Sequence, residues 1–256
     1  PATAWTQLPT ASARDGLIAA ARAAYGTSAA ILPVAGAQGA IQMIPRLGPP
    51  GLARVLSPTY NEHAASLSAA GWRVETVSDP AEIAGADLGV IVNPNNPDGR
   101  ESTPAALRDL AGKVGRLVVD ESFADMTPGL SVAASAGQPG LLVLRSFGKF
   151  YGLAGLRLGF VLGDEAEIAR LAAMAGPWPV SGAAIEVGRV ALADRVWAET
   201  TIVRLQDEAH RIDGLAARAG WRPLGGTTLF RLYDTPDAPA AQARLARARI
   251  WSRIFP

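Results

Sequence analysis

Residues 146–160 read SFGKFYGLAGLRLGF and place Lys149 three residues after Ser146 and eight residues before Arg157. The segment is rich in glycine and mostly apolar, so we expect the lysine amine to be poorly solvated. Desolvation lowers the pKa of a lysine toward the range in which its amine can attack a carbonyl carbon. We therefore interpret Lys149 as the amine of a Schiff base with an aldehyde cofactor. By itself, a lysine between glycines is more often a solvated turn residue.

Three short apolar runs predict strands that end in polar residues. Residues 88–92 precede the turn NPNNPDG at 93–99, residues 116–119 precede Asp120, and residues 141–144 lead into the lysine segment. Ligands of open α/β sheets bind outside the carboxyl ends of the strands. The sequence therefore predicts that an amide-rich turn, a carboxylate and a lysine meet at one edge of a sheet.

The order of the segments predicts an α/β fold. From residue 28 to about residue 180, apolar strands alternate with alanine-rich helical stretches such as 62–70 and 103–111. This is the βα pattern of a mostly parallel sheet. A long helical stretch at 196–219 then leads to a predicted strand at 227–233 of a smaller domain.

Three motifs in a fixed order carry a resemblance to a known family. The turn NPNNPDG at 93–99, DESF at 120–123 and the lysine segment with GLAGLRLG at 152–159 resemble the fold-type I pyridoxal-phosphate enzymes of the class I/II aminotransferase family. The resemblance implies an aspartate-aminotransferase-like large domain, with a mostly parallel mixed sheet flanked by helices, and a smaller α/β domain. It also implies pyridoxal 5'-phosphate as the cofactor.

The resemblance assigns the domains and an assembly. Residues 28–180 are predicted to form the large cofactor-binding domain, and residues 1–27 with 181–256 the small domain, expected to be incomplete at both ends. Family members form homodimers whose sites are completed by the partner, so a homodimer is expected. Leu8 stands near the position where relatives often carry a tyrosine that reaches the neighbouring subunit.

The same resemblance implies roles around the cofactor ring. Asp120 would face the pyridine nitrogen and keep it protonated, because a nearby carboxylate favours a cation; the alternative is a helix or turn cap. Asn96 would donate to the phenolic oxygen, and Tyr60 would stack on the ring unless it is plain packing. Phe123 occupies the position of a common tyrosine and lacks its hydroxyl donor.

Four residues are expected to bind the cofactor phosphate. Ser146 and Arg157 would do so through a hydroxyl and a charge-assisted guanidinium fork. Ala37 and Gln38 lie at the start of a predicted helix that follows a short apolar run. Backbone amides at a helix start bind phosphate. A glycine-containing stretch there could equally be a tight turn.

The residues of several segments indicate which reaction of the family to expect. Residues 143–151, 155–159 and 177–180, with Phe123, resemble the threonine-phosphate decarboxylases of cobalamin biosynthesis. This implies decarboxylation of L-threonine O-3-phosphate, an amino-acid phosphate, to (R)-1-amino-2-propanol O-2-phosphate. An aminotransferase of the histidinol-phosphate type is the alternative, and a non-catalytic homologue that serves as a binding module is a third reading. Gly148 and Asp98 depart from the family pattern, where hydroxyl residues are usual.

Composition excludes several other classes. The 256 residues carry a formal net charge of +1, which gives no nucleic-acid footprint, and 49% hydrophobic residues, enough for a substantial core. Cysteine is absent, so disulfides and thiolate metal sites are excluded. No run of about 18 apolar residues and no signal-like start are found, so neither a membrane span nor export is predicted, and a cytoplasmic location is the expectation.

The remaining polar features are expected to be structural, and no metal site is predicted. His63 and His210 have no acidic or cysteine partner at metal-ligand spacing, which favours surface or packing roles. Adjacent Asp120 and Glu121 would point to opposite faces of a strand and cannot easily share an ion. A cluster of arginines is interpreted as the solvated face of an amphipathic helix: Arg244, Arg247, Arg249 and Arg253.

Overall fold

The structure, a computed structural model, describes residues 3–255. Its strands are β1 (Ala30–Ala35), β2 (Leu52–Leu56), β3 (Arg73–Val77), β4 (Leu88–Val92), β5 (Leu117–Asp120), β6 (Leu141–Ser146), β7 (Leu158–Gly163), β8 (Arg222–Thr227) and β9 (Phe230–Asp234). Its α-helices are α1 (Thr3–Thr6), α2 (Ala11–Tyr25), α3 (Gly36–Met43), α4 (Glu62–Ala69), α5 (Pro104–Ala111), α6 (Glu165–Ala175), α7 (Gly182–Ala193), α8 (Arg195–Arg218) and α9 (Ala238–Arg247).

Seven strands form one mixed sheet in the order β1-β7-β6-β5-β4-β2-β3. The pairs from β3 to β6 are parallel, and β7 runs antiparallel to both of its neighbours. Every residue of β4, β5 and β7 is buried, as expected for strands covered by helices on both faces. The predicted α/β class with a mostly parallel mixed sheet is confirmed.

Two hydrophobic cores lie on the two faces of this sheet. Alternate residues of β6 separate between them: Leu141 and Val143 pack in the core that contains Leu17 of α2, while Leu142 and Leu144 pack in the core that contains Ile41 of α3. Side chains of a strand alternate between its faces, so this parity extends to the residues that follow. It sends Asp120 toward the face covered by α3 and α4, and Glu121 toward the face covered by α2.

A second, two-stranded antiparallel sheet consists of β8 and β9. It contacts α8, and it also contacts the turn after β4, where the Gly226 amide donates to the carbonyl oxygen of Asp98 at 2.9 Å. The prediction of one strand at 227–233 is wrong in part, because Thr227 ends β8, residues 228 and 229 form the turn, and β9 begins at Phe230. The domain boundaries inferred from the sequence stay a prediction.

The interpretation of the arginine cluster as one helical face is wrong in part. Helix α9 ends at Arg247, so only Arg244 and Arg247 belong to it. Arg249 has a positive φ of 63°, which ends the helical path, and Arg253 follows in an irregular segment. Among the described residues, no strand is found at 250–253.

No helix within residues 3–255 is long and apolar enough to cross a membrane.

Replacement of Gly159 by alanine is expected to destabilise the protein, because β7 passes directly under the start of α3. A Cβ atom at this position would overlap the backbone nitrogen of Ala37 and lie 2.6 Å from the carbonyl carbon of Gly36. Overpacking of this kind costs about 1–3 kcal/mol. Urea unfolding of Gly159→Ala should show this loss, whereas Gly155→Ala, with no atom within 4 Å of the added Cβ, should change stability by less than about 0.5 kcal/mol. Equal stability of the two variants would contradict the packing described here.

Candidate active site

The carboxyl ends of β4, β5 and β6 meet at one edge of the sheet. Val92 lies opposite Asp120, and Asp120 lies opposite Leu144. The strand pairing continues into the loops, because the Asn93 amide donates to the Asp120 carbonyl oxygen and the Glu121 amide to that of Leu144, each at 2.9 Å. The turn at 93–99, the carboxylate and the lysine segment therefore begin from adjacent positions.

Asp120 is a buried, charged hydrogen-bond acceptor. Its Oδ1 accepts from the amide of Ser122 at 2.9 Å and from the Ser122 hydroxyl at 2.5 Å, and its Oδ2 lies 2.8 Å from Nε2 of His63. Burial by itself raises the pKa of Asp120, but the hydrogen bond and charge of His63, with the two Ser122 donors, lower it below the ordinary value. The carboxylate is therefore kept ionised, with His63 Nε2 as the donor.

His63 is the functional residue that the sequence analysis missed. Its side chain is 4% exposed and lies on α4, on the face of the sheet toward which Asp120 points. The expected surface or packing role does not describe this residue, because its acidic partner is 57 positions away in the sequence. The only signal was its place three residues after Tyr60, whose ring it meets edge-on at 6.3 Å.

Glu121 points to the opposite face and joins a buried ion network. Its carboxylate accepts from the Val132 amide at 2.7 Å and from Arg145 Nη1 at 2.8 Å, and Arg145 Nη2 lies 2.5 Å from Asp125 Oδ1. The Arg145 guanidinium stands 4.4 Å from the ring centroid of Tyr25, the last residue of α2. This network connects the ends of β5 and β6 to each other and to α2, on the face of the sheet opposite to Asp120. Within residues 3–255, no group of three or more histidine, aspartate or glutamate side chains could hold a metal ion.

Lys149 is exposed, so the expected poor solvation of its amine is wrong. The glycines around it do not cover the side chain, and its Nζ stands 5.5 Å from the ring centroid of Phe123. Phe123 is in turn packed edge-on against Phe230 of β9, with ring centroids 4.9 Å apart. The amine therefore lies free beside the ring of Phe123, which Phe230 supports from β9.

Arg157 forms a cradle with the start of α3. It adopts a left-handed backbone conformation with φ of 53°, and a Cβ atom on Gly36 would lie only 2.8 Å from its Nη2. Gly36 itself has a positive φ of 69°, a backbone conformation that favours glycine. Arg157 is exposed and has no carboxylate partner within residues 3–255, and its one hydrogen bond there is to the Ala154 carbonyl oxygen at 3.1 Å. The Ala37 and Gln38 amides belong to the first turn of this helix.

Asn96 and Ser146 keep their polar groups available. Both are half-buried, and neither side chain makes a hydrogen bond to any residue of the described chain. Asn93 differs, because its side chain donates to the Ser102 carbonyl oxygen at 3.1 Å and accepts from the Ser102 amide at 2.8 Å. Asn95 donates to the Pro58 carbonyl oxygen at 2.8 Å and to Asp98 at 2.7 Å.

Two of the three asparagines, Asn93 and Asn95, thus hold the turn through side-chain hydrogen bonds. Asp98, which stands where threonine is usual in the family, serves the turn as well, because its Oδ1 also accepts from the Arg100 amide at 3.0 Å. Asn96 alone of the three has a free amide.

Tyr60, just before α4, and Gln38, in α3, lie next to each other. The Tyr60 hydroxyl lies 3.5 Å from Gln38 Oε1, and Gln38 Nε2 donates to Glu62 at 3.1 Å. Burial raises the pKa of Tyr60, the charges of Glu62 and Asp120 add to this, and the positive charges of Arg253 and Arg157 oppose it. Tyr60 is 37% exposed, so much of its ring surface is open to a ligand.

Arg253 is a second residue that sequence reasoning did not assign to the site. Its charge acts on the Tyr60 hydroxyl, and it has no carboxylate partner in the described part of the chain. A sequence signal for Lys149 was also available, since the chain has 24 basic residues and only two of them, Lys113 and Lys149, are lysines. A chain that otherwise uses arginine keeps a primary amine at the strand ends.

These groups suit a phosphorylated aldehyde with a protonated heteroaromatic ring. The cradle of Gly36, Arg157 and the α3 amides offers donors and positive charge for a phosphate. Asp120, held ionised, can accept from a ring N–H, and Lys149 supplies the amine for the aldehyde. The unpaired donors are the observation that fits such a ligand, because polar groups without protein partners need solvent or ligand partners.

Comparisons with known proteins agree with the motifs. The family model for aminotransferase class I and II matches residues 15–253. Threonine-phosphate decarboxylase of Pseudomonas aeruginosa is 44% identical over the whole of this chain and 78% of its own length, and that of a Sinorhizobium species is 42% identical over the same shares. A histidinol-phosphate aminotransferase of Mycobacterium bovis is 34% identical over 81% of this chain and 60% of its own.

Solved structures share the fold. Histidinol-phosphate aminotransferase from Sinorhizobium meliloti, in complex with pyridoxal-5'-phosphate, has a TM-score of 0.89 at 23% identity, over 99% of this chain and 76% of its own. L-threonine-O-3-phosphate decarboxylase from Porphyromonas gingivalis has a TM-score of 0.82 at 22% identity, over 97% and 81%. The family match over most of the sequence, and the relatives at more than 40% identity, show that this chain belongs to the class I and II aminotransferase family.

Proposed function

We propose that this protein is a pyridoxal-phosphate-dependent decarboxylase that converts L-threonine O-3-phosphate to (R)-1-amino-2-propanol O-2-phosphate, a step of cobalamin biosynthesis. The observation that carries the proposal is the set of three cations without carboxylate partners in the described chain, Lys149, Arg157 and Arg253, around the strand ends that hold Asp120. A phosphorylated cofactor and a phosphorylated amino acid together bring two phosphates and a carboxylate. The 44% identity to a threonine-phosphate decarboxylase supports this choice of substrate.

The residues around the strand ends fit the cofactor. Ser146, Arg157 and the amides of Ala37 and Gln38 would hold its phosphate, Asp120 its ring nitrogen, and Asn96 its phenolic oxygen. Tyr60 would cover one face of the ring. When bound, pyridoxal phosphate supplies an electron-withdrawing ring that stabilises negative charge on the α-carbon of the substrate.

The chain's own groups then perform three tasks. Asp120 stays ionised because His63 and Ser122 donate to it, so it keeps the ring nitrogen protonated. Lys149, exposed and without a carboxylate partner within residues 3–255, would supply the amine for the aldehyde. Its free ammonium form would give a proton to the substrate α-carbon in place of the carboxylate that is lost as carbon dioxide. Phe123 offers no hydroxyl to the phenolic oxygen, so Asn96 is the donor there.

Arg253 is assigned to the substrate. Its charge lowers the pKa of the Tyr60 hydroxyl and is not balanced by a carboxylate within residues 3–255, and a guanidinium binds phosphate or carboxylate through two parallel hydrogen bonds. The site would therefore contain one arginine for the cofactor phosphate and another for an anionic group of the substrate.

The second candidate function is that of a histidinol-phosphate aminotransferase. It is supported by the relative that is 34% identical and by the fold match with a TM-score of 0.89. A non-catalytic binding module is the least favoured reading, because Lys149, Asp120, Asn96 and Arg157 are all present with accessible or ionised groups.

Product analysis separates these candidates. With pyridoxal phosphate and L-threonine O-3-phosphate, the full-length protein is expected to release carbon dioxide without a keto acid. Lys149→Ala should lower the rate by at least about a thousandfold while unfolding at the same urea concentration, because an exposed side chain is lost. Lys113→Ala, a surface lysine paired with Asp109, is the control and should keep the wild-type rate.

A different outcome would identify a different enzyme. Glutamate formed from histidinol phosphate and 2-oxoglutarate, with no carbon dioxide from threonine phosphate, would assign the protein to the aminotransferases. Wild-type rates in Lys149→Ala would remove the lysine from the chemistry.

Loss of the His63 contact is expected to raise the pH at which the cofactor is released. The lowered pKa of Asp120 means that its contribution is present above the ordinary carboxyl pKa, about 4, and is lost as the pH falls through the lower folded-state value. In His63→Leu only the two Ser122 donors still oppose the raising effect of burial, so Asp120 takes up its proton at a higher pH than in the wild type. A pH titration of the cofactor absorbance should show the release midpoint shifted upward.

Two further variants make this titration specific. His63→Gln keeps an N–H donor and should restore part of the shift, and His210→Gln, at an exposed histidine of α8, should titrate like the wild type. An unchanged midpoint in His63→Leu would show that His63 does not set the charge of Asp120.

We also propose that the protein is a homodimer. Large apolar side chains are exposed on α7 and α8 around a cleft of about 480 Å³, with Val190 61% and Trp197 39% exposed. Contiguous exposed apolar surface of this kind marks interaction sites. The proposed domains, 28–180 and 1–27 with 181–256, and a cytoplasmic location stay predictions, which limited proteolysis and cell fractionation would test.

Charge placed in this cleft is expected to separate the protomers. Sedimentation equilibrium of the wild type should give twice the chain mass of 26.5 kDa, and Val190→Arg should shift it to the monomer mass. Leu224→Arg, on the exposed edge of β8, should remain dimeric. A monomeric wild type would refute the proposal.

A further inference from the structure

The hairpin of β8 and β9 is fixed tightly against the active-site edge. A Cβ atom on Gly225 would overlap the Asp98 carbonyl oxygen, and one on Gly99 would overlap the carbonyl oxygen of Gly226. The Gly226 amide also donates to Asp98 at 2.9 Å. Glycine on both sides lets the two backbones touch, so the hairpin has a defined position relative to the turn that carries Asn96.

This contact delivers Phe230 to the site. Phe230 is the first residue of β9, and its ring packs edge-on against Phe123 at 4.9 Å with an interplanar angle of 72°. Phe123 is 8% exposed, and its face lies 5.5 Å from the Lys149 amine. Phe230 is half-buried and reaches the lysine side of the site only through its contact with Phe123.

The hairpin tip also carries an unpaired polar group. The hydroxyl of Thr228, between the two strands, is buried and has no hydrogen-bond partner in the described part of the chain. A buried hydroxyl left unpaired costs about 1–3 kcal/mol. That cost is offset if a polar group of a ligand reaches the tip.

We propose that Phe230 is a specificity-determining residue, which forms with Phe123 an aromatic wall that limits the width of a substrate side chain beside Lys149. The inference rests on the proposed function for its substrate class, a phosphorylated amino acid. A short methyl-bearing side chain fits against such a wall, whereas a planar imidazole requires the space that the Phe230 ring fills. The wall would discriminate by steric exclusion, and the edge-to-face contact between the two rings stabilises their arrangement.

Calorimetric binding to the full-length protein in a Lys149→Ala background, loaded with pyridoxal phosphate, tests the wall separately from turnover, because this background is expected to turn over L-threonine O-3-phosphate at least about a thousandfold more slowly. The measured quantity is the ratio of the dissociation constants for L-threonine O-3-phosphate and histidinol phosphate. Phe230→Ala is expected to shift this ratio toward histidinol phosphate by about tenfold or more, the scale on which hydrophobic pockets discriminate size. Phe230→Leu, which keeps an apolar contact with Phe123, should give a smaller shift in the same direction.

A matched control lies on the neighbouring strand. Leu224→Ala removes an apolar side chain from β8, 51% exposed and outside the contact with Phe123, and should leave the ratio within twofold of the wild type. A ratio within twofold of the wild type in folded Phe230→Ala, checked by circular dichroism, would overturn the proposal. A ratio in folded Phe230→Leu that equals the wild-type value, or that moves away from histidinol phosphate, would also overturn it.

The wild-type protein distinguishes this inference from the proposed function. If it binds threonine phosphate without releasing carbon dioxide, the proposed function fails while the ratio in the variants still decides the role of Phe230. If it binds neither ligand, both are contradicted.

Discussion

The site depends on the parallel pairing of β4, β5 and β6, because this pairing brings the carboxyl ends of the three strands side by side. Parallel strands present their carboxyl ends at one edge, and a strand's side-chain parity then decides which face each following residue joins. Asp120 turns toward α4, where His63 holds it, and Glu121 turns toward α2, where Arg145 holds it. The two adjacent carboxylates thus have different roles. Asp120 is kept ionised for a ligand, and Glu121 holds in place the strands that carry Asp120.

The electrostatic arrangement follows from this division. Below the site, the charges of Arg145, Glu121 and Asp125 are paired within the protein, so they stiffen the strand ends and take no part in binding. Above it, Lys149 and Arg157 have no carboxylate partners in the described residues. Arg145 and Arg157 lie twelve positions apart and differ in burial. Arg145 is 4% exposed and paired within the protein, whereas Arg157 lies at the surface and is available to a ligand.

Much of the fold followed from the sequence, because it rests on local pattern. The apolar runs marked β4, β5 and β6, and the ordered motifs marked the strand ends. Contacts between distant positions could not be predicted from the sequence. His63 contacts Asp120 only because of where β2, α4 and β5 lie in the fold. The charge of Arg253 affects Tyr60 only because of the path of the chain after α9. Glycine content suggested a buried Lys149, but glycines have no side chains with which to cover an amine, so the structure leaves it exposed.

Reductive labelling tests the central claim, that these strand ends bind an aldehyde cofactor through one amine. The protein would be incubated with pyridoxal phosphate, treated with borohydride to fix any amine-linked aldehyde, and mapped by peptide mass. With only two lysines in the chain, the outcomes are distinct. The account predicts one stable adduct on the peptide that contains Lys149. An adduct on Lys113 alone, or equal labelling of both lysines, would contradict it.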